Sequence, residues 1–357
     1  MTVNKQKSAS GSSQIQASNL IRGLYRGLLL REPTDSEVRE WLDGYQTEAD
    51  AIAIVGNFIS SDEYADRLAS EARSVYLDPT RMATIAKPLA ALLFERPLTI
   101  VDIGAQNLSD EEHVYGPITK NGMPHRIIGF EPLEHRREER LQAQGHENTV
   151  LLPAFIGDGT RRTFHINAPD STSSLFPFNR NVTDHLIGLD HLKTVEVEMV
   201  DTTTLDDALR NYGDVDFIKL DIQGAELLAL QNAQVTLAKT LVVHCEVLFA
   251  EMYEGQAFFS DIDSLMRKAG FDLIDLPYLC KYPVVGTKSF KSKDRLGWGD
   301  AIYFRKLPGD AHWRDFLVQS AFAIAVYDKP SLALALAKRL NDGPAKSYWD
   351  SLQQLVE

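Results

Sequence analysis

The chain has 357 residues, 44% hydrophobic and 24% charged, a balance that excludes fibrous, collagen-like and wholly disordered proteins. At roughly 150 residues per domain this length gives about two domains, or one large domain with appendages. Thirty-seven basic against 50 acidic residues leave a net charge of −13, unfavourable for holding a polyphosphate backbone, so nucleic acid is not an expected partner.

Residues 1–18, rich in Ser, Gln and Asn, read as a flexible tail that lacks the apolar core of a secretory signal. From Leu20 the pattern changes. Leu20, Leu24, Leu28 and Ile21, Tyr25, Leu29 mark one face of a helix that Pro33 stops. Thr34 with Glu37 forms a capping box ahead of Val38, Trp41 and Leu42. Ile52, Val55, Phe58 and Ile59 mark a third helix, and Ser60 with Glu63 opens a fourth through Tyr64 and Leu68. Residues 19–72 therefore read as a helical module with no catalytic pair. The runs at Tyr25 to Pro33 and Ser60 to Tyr64 resemble a small helical domain of unknown function found in many bacterial surface and secreted proteins, a resemblance that implies no activity.

A connector at 73–97 follows. Its longest apolar stretch, Ile85 to Phe94, carries Lys87 and Pro88 and falls short of the ~18 residues that span a bilayer. Cys245 and Cys280 are the chain's two cysteines, too few for a disulfide framework, which points to a reducing compartment. The expectation is a cytoplasmic protein with no membrane span.

Short apolar runs then recur at Leu98 to Ile103, Arg126 to Phe130, Thr149 to Leu152, Val215 to Leu220 and Leu241 to Val247, between helical stretches. Strands alternating with helices predict a doubly wound, mostly parallel α/β sheet over 98–306. Thr160 to Ile166 and Thr194 to Val200 are extra strands, and Phe271 to Leu276 with Ala301 to Phe304 form an antiparallel pair at the edge. Residues 307–357 read as a helical appendage for packing or for contacts in a homo-oligomer.

Ligands of such a sheet collect beyond the carboxyl ends of its strands, where strand order reverses. The first strand ends in Asp102-Ile103-Gly104-Ala105-Gln106, where Gly104 permits a tight turn and close approach of a ligand. The later glycines of a dinucleotide fingerprint are missing, which disfavours NAD. A cofactor without phosphates, such as S-adenosyl-L-methionine, needs the turn but not the anion cradle. Glu131, at the end of the second strand, can accept bonds from two ribose hydroxyls.

The runs "TIVDIGAQ", "IIGFEP", "AFIGDGTRRTF", "STSSLF", "DTTTLDDAL" and "VDFIKLDIQGAELLALQNA", in that order, resemble the FkbM family of S-adenosylmethionine-dependent methyltransferases over about residues 98–275. The resemblance implies a Rossmann-like class I methyltransferase fold and O-methylation of a sugar, glycan or related natural product. It places Asp102, Gly104 and Gln106 at the cofactor loop, Glu131 on the ribose, Asp158 near the adenine or in the turn after strand three, and Lys219, Asp221 and Glu226 at the end of strand four. The family's further glycine and aromatic are replaced here by Asn107, Leu108, Asp110, Glu111 and Glu112. A non-catalytic binding or scaffold protein keeping this fold is the alternative.

Transfer to an alcohol requires help in removing its proton. Asp221, ending strand four ahead of Gly224, is the leading base, while Glu226 can equally cap the next helix by accepting backbone N–H bonds. His244 and Glu246, two apart on strand five, share a face and are further candidates. With Asp221 they could hold a divalent ion, but their spacing matches no compact metal motif, so none is expected. Asp170 to Arg180, rich in small hydroxyls and then aromatics, either folds over the cofactor as a lid or joins two strands, and the family resemblance favours the lid. Lys281, Lys288, Lys291, Lys293 and Arg295 make a basic loop.

Overall fold

A computed structural model describes residues 18, 20–22, 24, 25, 33–42, 79–105, 112–144, 148–189, 191–285 and 292–356. The chain divides into two compact units, 1–76 and 77–357. In the first, Ile21 and Tyr25 are buried in a helical stretch, and α1 (Asp35–Leu42) starts at the expected capping box. Glu37 Oε2 accepts from the Thr34 N–H at 2.7 Å, and the Glu37 N–H donates to Thr34 Oγ1 at 3.3 Å. The third and fourth helices read from the sequence lie outside the described residues, as do residues 1–17.

The second unit opens with α2 (Pro79–Leu93), whose Met82, Ile85, Leu89 and Leu93, at helical spacing, are all buried. There follow β1 (Leu98–Ile103), α3 (Gly116–Lys120), β2 (His125–Phe130), α4 (Glu134–Gln144) and β3 (Thr149–Leu152). Next come β4 (Phe155–Ile156), β5 (Arg161–Ala168), α5 (Arg180–Thr183), β6 (Lys193–Thr203) and α6 (Leu205–Ala208). The chain continues through β7 (Phe217–Leu220), α7 (Glu226–Gln231), α8 (Gln234–Lys239), β8 (Val242–Leu248), α9 (Phe259–Lys268), β9 (Phe271–Tyr282) and β10 (Arg295–Arg305). It closes with α10 (Trp313–Ala325), α11 (Pro330–Ala337) and α12 (Lys346–Val356).

Seven strands make one sheet in the order β3-β2-β1-β7-β8-β10-β9. β1, β2, β3, β7 and β8 pair in parallel, and β10 lies antiparallel between β8 and β9. The expected antiparallel edge pair is therefore present. A small second sheet, β4-β6-β5, holds the two extra strands. Strand order reverses between β1 and β7, so the crevice of this Rossmann-like sheet opens beyond Ile103 and Leu220.

Alternation along the strands sends Val101, Ile103, Ile218, Leu220, Val243 and Cys245 into one apolar layer with Leu230, Leu237, Ile262 and Met266 of α7, α8 and α9. Leu98, Ile100, Phe217 and Val242 face the other way, against α2 and the three C-terminal helices. Every residue of α10 from Phe316 to Ala325 is buried, and Phe322 stacks on Phe217 at 4.7 Å. The stretches 73–97 and 307–357, read from the sequence as connector and appendage, thus supply α2 and α10–α12, which cover this face of the sheet.

Arg314 ties α10 to the strand floor. Its guanidinium meets both oxygens of Asp216, at 2.6 and 2.9 Å, and Asp216 Oδ2 also accepts from the Thr99 N–H at 2.9 Å. Both side chains are buried. Removing one partner of such a pair strands the other charge at a cost of about 3–5 kcal/mol. Arg314→Ala is accordingly expected to lower the urea midpoint by that equivalent, with Asp216→Asn recovering part of the loss in the double variant.

Candidate active site

Two successive polar rows cross the carboxyl end of the sheet on the α10 side. In the first, Asp102, Lys219 and His244 stand side by side in the register of β1, β7 and β8. In the second, Glu246, Asp300 and Tyr278 align across β8, β10 and β9. Asp221 follows β7 directly, its N–H donating to Ile103 O at 3.0 Å. The structure thus brings Asp102, Gly104, Lys219, Asp221, His244 and Glu246 together around the switch point.

Gly104 has φ +78° and lies so close to the Asp221 carbonyl that an added Cβ would sit 1.8 Å from its oxygen. Only glycine fits there, for both reasons. Asp102 is fully buried and accepts from Tyr115 Oη at 2.6 Å and Arg140 Nη1 at 2.9 Å. Burial works against its charge, yet Arg140, Lys219 and the Tyr115 bond hold its carboxyl at about 2. Arg140 also donates to Ala105 O at 2.6 Å and to Tyr115 Oη at 2.6 Å, fixing the start of the loop after β1. His113 lies 3.5 Å from Asp102, and burial with the nearby cations brings it down to about 4, so this imidazole is neutral at pH 7. Gln106 and residues 107–111 lie outside the described residues.

Lys219 reaches Gly104 O at 3.1 Å, Asp221 Oδ2 at 3.2 Å and Asp102 Oδ1 at 3.7 Å. Burial opposes its charge, but the Asp221 and Asp102 carboxylates outweigh that and raise its pKa. Glu246 is buried, and its pKa is raised well above the usual carboxylate range, first by burial and then by Asp221, Glu226 and Asp300. His244 accepts or donates at Tyr327 Oη, 3.3 Å away, and lies 3.5 Å from Asp300 Oδ1. Glu226 stands in the first turn of α7 and accepts N–H bonds from the loop before it. Its carboxyl accepts from the Ile222 N–H at 2.8 Å and the Gly224 N–H at 3.0 Å.

Glu131 is buried at the start of the turn into α4, with Oε1 accepting from the Leu133 N–H at 2.8 Å. Burial raises its pKa. Oε2 takes no hydrogen bond from the described residues. Asp158 follows its turn reading. It pairs with Arg162 and accepts from Thr160 N and Oγ1 at 3.2 and 2.7 Å, in the turn joining β4 to β5.

One residue passed over in the sequence sits at the centre. Gln223, with φ +56°, donates from Nε2 to Asp221 Oδ1 at 2.9 Å and to Glu246 Oε2 at 3.1 Å. Its Oε1 accepts from Tyr253 Oη at 2.7 Å, and its carbonyl from Ser174 Oγ at 2.6 Å. The segment read as a lid packs over this corner. Phe178 stacks on Tyr253 at 5.3 Å, and Phe178, Leu186 and Leu189 form an apolar cluster with Leu248, Met252 and Tyr253. Of the basic loop, Lys281, Lys293 and Arg295 are exposed, while Lys288 and Lys291 lie outside the described residues. Among the described residues no three His, Cys, Asp or Glu side chains are grouped to hold a metal ion, and no helix is long and apolar enough to cross a membrane.

A Rossmann-like sheet with an acidic, lysine-bridged switch point is the usual place for a small ligand. Residues 102–273 match the family model described as the methyltransferase FkbM domain, and this part of the chain is a methyltransferase domain. The chain is 26% identical over 190 residues, half of its length and 74% of the relative's, to a 2-O-methyltransferase, NoeI, from Sinorhizobium fredii. Among solved structures it is similar to the magnesium protoporphyrin IX methyltransferase of Synechocystis with bound SAM, at 10% identity and TM-score 0.30, over 81% of this chain and 97% of that one. Another is Sp1610 of Streptococcus pneumoniae, a putative tRNA methyltransferase in complex with S-adenosyl-L-methionine, at 12% identity and TM-score 0.29, over 78% and 99% of the two chains.

Proposed function

We propose that this protein is an S-adenosylmethionine-dependent O-methyltransferase that methylates a hydroxyl of a sugar, glycan or related natural product. The observation that carries the reading is the pair of strand-end carboxyls, Asp221 and Glu246, in unlike surroundings beside a glycine turn. Asp221 is ion-paired with Lys219, whereas burial and the neighbouring carboxylates raise the pKa of Glu246. Two carboxyls in such unlike surroundings can divide acid and base roles. The family assignment and the 2-O-methyltransferase relative support the same reading.

When bound, the cofactor supplies a methyl carbon already activated by its sulfonium charge, and the protein's task is alignment and proton removal. The residues fit such a ligand. The Gly104 turn brings the end of β1 against the Asp221 carbonyl at the crevice, Glu131 Oε2 is available for ribose hydroxyls, and Asp102 with Lys219 fixes the floor. Asp221 is the group assigned to take the hydroxyl proton. On the acceptor side, the Tyr278 ring lies 5.0 Å from that of Trp298, next to Asp300. Ring faces beside carboxyls suit a saccharide, which presents apolar C–H faces and a rim of hydroxyls.

Calorimetric titration with S-adenosylhomocysteine is expected to show micromolar, one-to-one binding, weakened at least roughly tenfold by Glu131→Ala. A flat titration of the intact protein would overturn the cofactor assignment. Transfer of labelled methyl to members of a saccharide panel tests the acceptor class, and labelling of none but non-carbohydrate acceptors would reject it.

A further inference from the structure

Among the described residues, Gln223 is the one whose side chain hydrogen-bonds to both candidate carboxyls, and it does so from a backbone conformation a side-chain-bearing residue adopts only at a cost of roughly 1 kcal/mol. Such a conformation persists where the surroundings over-determine it. Here they do, at both ends of the residue. Ser174 Oγ donates to its carbonyl, and Tyr253 Oη donates to its side-chain oxygen. Ser174 is itself buried and bridged to His165 through its backbone N–H and carbonyl, at 3.1 and 2.8 Å. Tyr253 Oη also lies 3.1 Å from Thr172 O.

With Oε1 committed to Tyr253, the amide cannot flip without losing a bond, so both N–H groups point at carboxyl oxygens. An amide NH2 forks at ~120°. Its two bonds of 2.9 and 3.1 Å therefore set the acceptor oxygens of Asp221 and Glu246 about 5 Å apart. A hydroxyl oxygen on the far side of that line from Nε2, about 3.1 Å from each carboxyl oxygen, lies about 3 Å from the amide nitrogen and fits the space the two carboxyls frame.

On the reading of the site given above, we infer that Gln223 is a positioning residue. Its amide, locked by Tyr253 and by the segment Thr172–Ser174, holds the Asp221 and Glu246 carboxyls at the separation that seats a single acceptor hydroxyl. It acts through the two carboxyls and not on the methyl group. Asn or Asp at 223 is a methylene too short to span both, and Glu would set a third carboxylate against the other two. The lid segment thereby contributes to the reaction through hydrogen bonds to Gln223 and Tyr253, in addition to covering the crevice.

The test needs no acceptor. Full-length protein labelled with 13C at the Glu side-chain carboxyl is titrated by NMR, and the Glu246 resonance is assigned by its absence from Glu246→Gln. The groups that face Glu246 are Lys219 and Asp221 on and after β7, Glu226 at the start of α7, Asp300 on β10 and Tyr253, and all are retained in Gln223→Leu. That variant removes one N–H donor from the Glu246 carboxylate, so its titration midpoint is expected to rise by roughly one pH unit. Tyr253→Phe, which leaves every carboxyl in place and only unlocks the amide, is expected to move the midpoint in the same direction by less. A merely structural role for Gln223 would lower stability and leave the midpoint where it is. An unchanged midpoint in Gln223→Leu overturns the inference. If that variant does not fold, an unchanged midpoint in Tyr253→Phe does so. Because the titration is run on unliganded protein, failure of S-adenosylhomocysteine to bind would count against the cofactor assignment alone.

Discussion

Gly104→Ala is expected to abolish measurable S-adenosylhomocysteine binding and to destabilise the second unit by more than about 3 kcal/mol. The strain of a positive φ alone accounts for roughly 1 kcal/mol. The rest comes from position. The added methyl would fall 1.8 Å from the Asp221 carbonyl oxygen and 2.9 Å from its carbon, and these are backbone atoms that no rotamer change can move. Relief requires β1 and β7 to part at the switch point. There the Asp221 N–H is bonded to Ile103 O and the Gly104 N–H to Phe130 O at 3.2 Å. Gly122 is the internal control. It has φ +66° with nothing within 4 Å of an added Cβ, so Gly122→Ala should lose only about 1 kcal/mol and bind normally. Urea unfolding and calorimetry on the two variants separate strain from collision, and equal losses would refute the collision.

The strand ends were readable in the sequence because the physics there is local. Gly104 and Glu131 directly follow an apolar run, and Asp102 and Lys219 stand one residue before the end of theirs; the fold rule says that ligands gather there. The capping box at Thr34 is local in the same way. The C-terminal helices were legible as packing helices, whereas their place against the sheet was not. Periodic apolar positions from Trp313 on mark one packed face, whereas α10 is buried on all sides because α11 and α12 wrap its outer side and Arg314 anchors it to Asp216.

The network behind Asp102 was hidden differently. Arg140 belongs to a helix, EHRREERLQAQ, whose composition reads as a solvated surface. Its burial depends on an aspartate 38 residues earlier and on Tyr115. Gln223 looked like spacing inside Lys-x-Asp-x-x-Gly-x-Glu. Its role is created by a positive φ, by Tyr253 30 residues on and by Ser174 49 residues back. Residue type announces a carboxylate at a strand end, but the amide that aims it becomes visible only with the long-range contacts.

Asp221→Asn and Glu246→Gln should part company, because the two carboxyls stand in opposite surroundings. With an acceptor from the saccharide panel, Asp221→Asn is expected to lose ~10²–10⁴ in kcat, the usual worth of a general base, with S-adenosylhomocysteine affinity within about threefold. Glu246→Gln mimics the proton-bearing form already favoured in the fold, so it should retain more activity than Asp221→Asn. Its effect on stability is pH-dependent, with a definite sign. The folded pKa of Glu246 lies well above the unfolded value of 4.5. Its protonation therefore stabilises the fold fully below pH 4.5, and this contribution is lost as pH climbs toward the raised folded value. Glutamine needs no proton, so Glu246→Gln should melt with wild type at pH 4 and a few degrees above it at pH 8. Melting curves at the two pH values, set beside kcat for both variants, decide the assignment. Full activity in Asp221→Asn with none in Glu246→Gln would transfer the base role to Glu246.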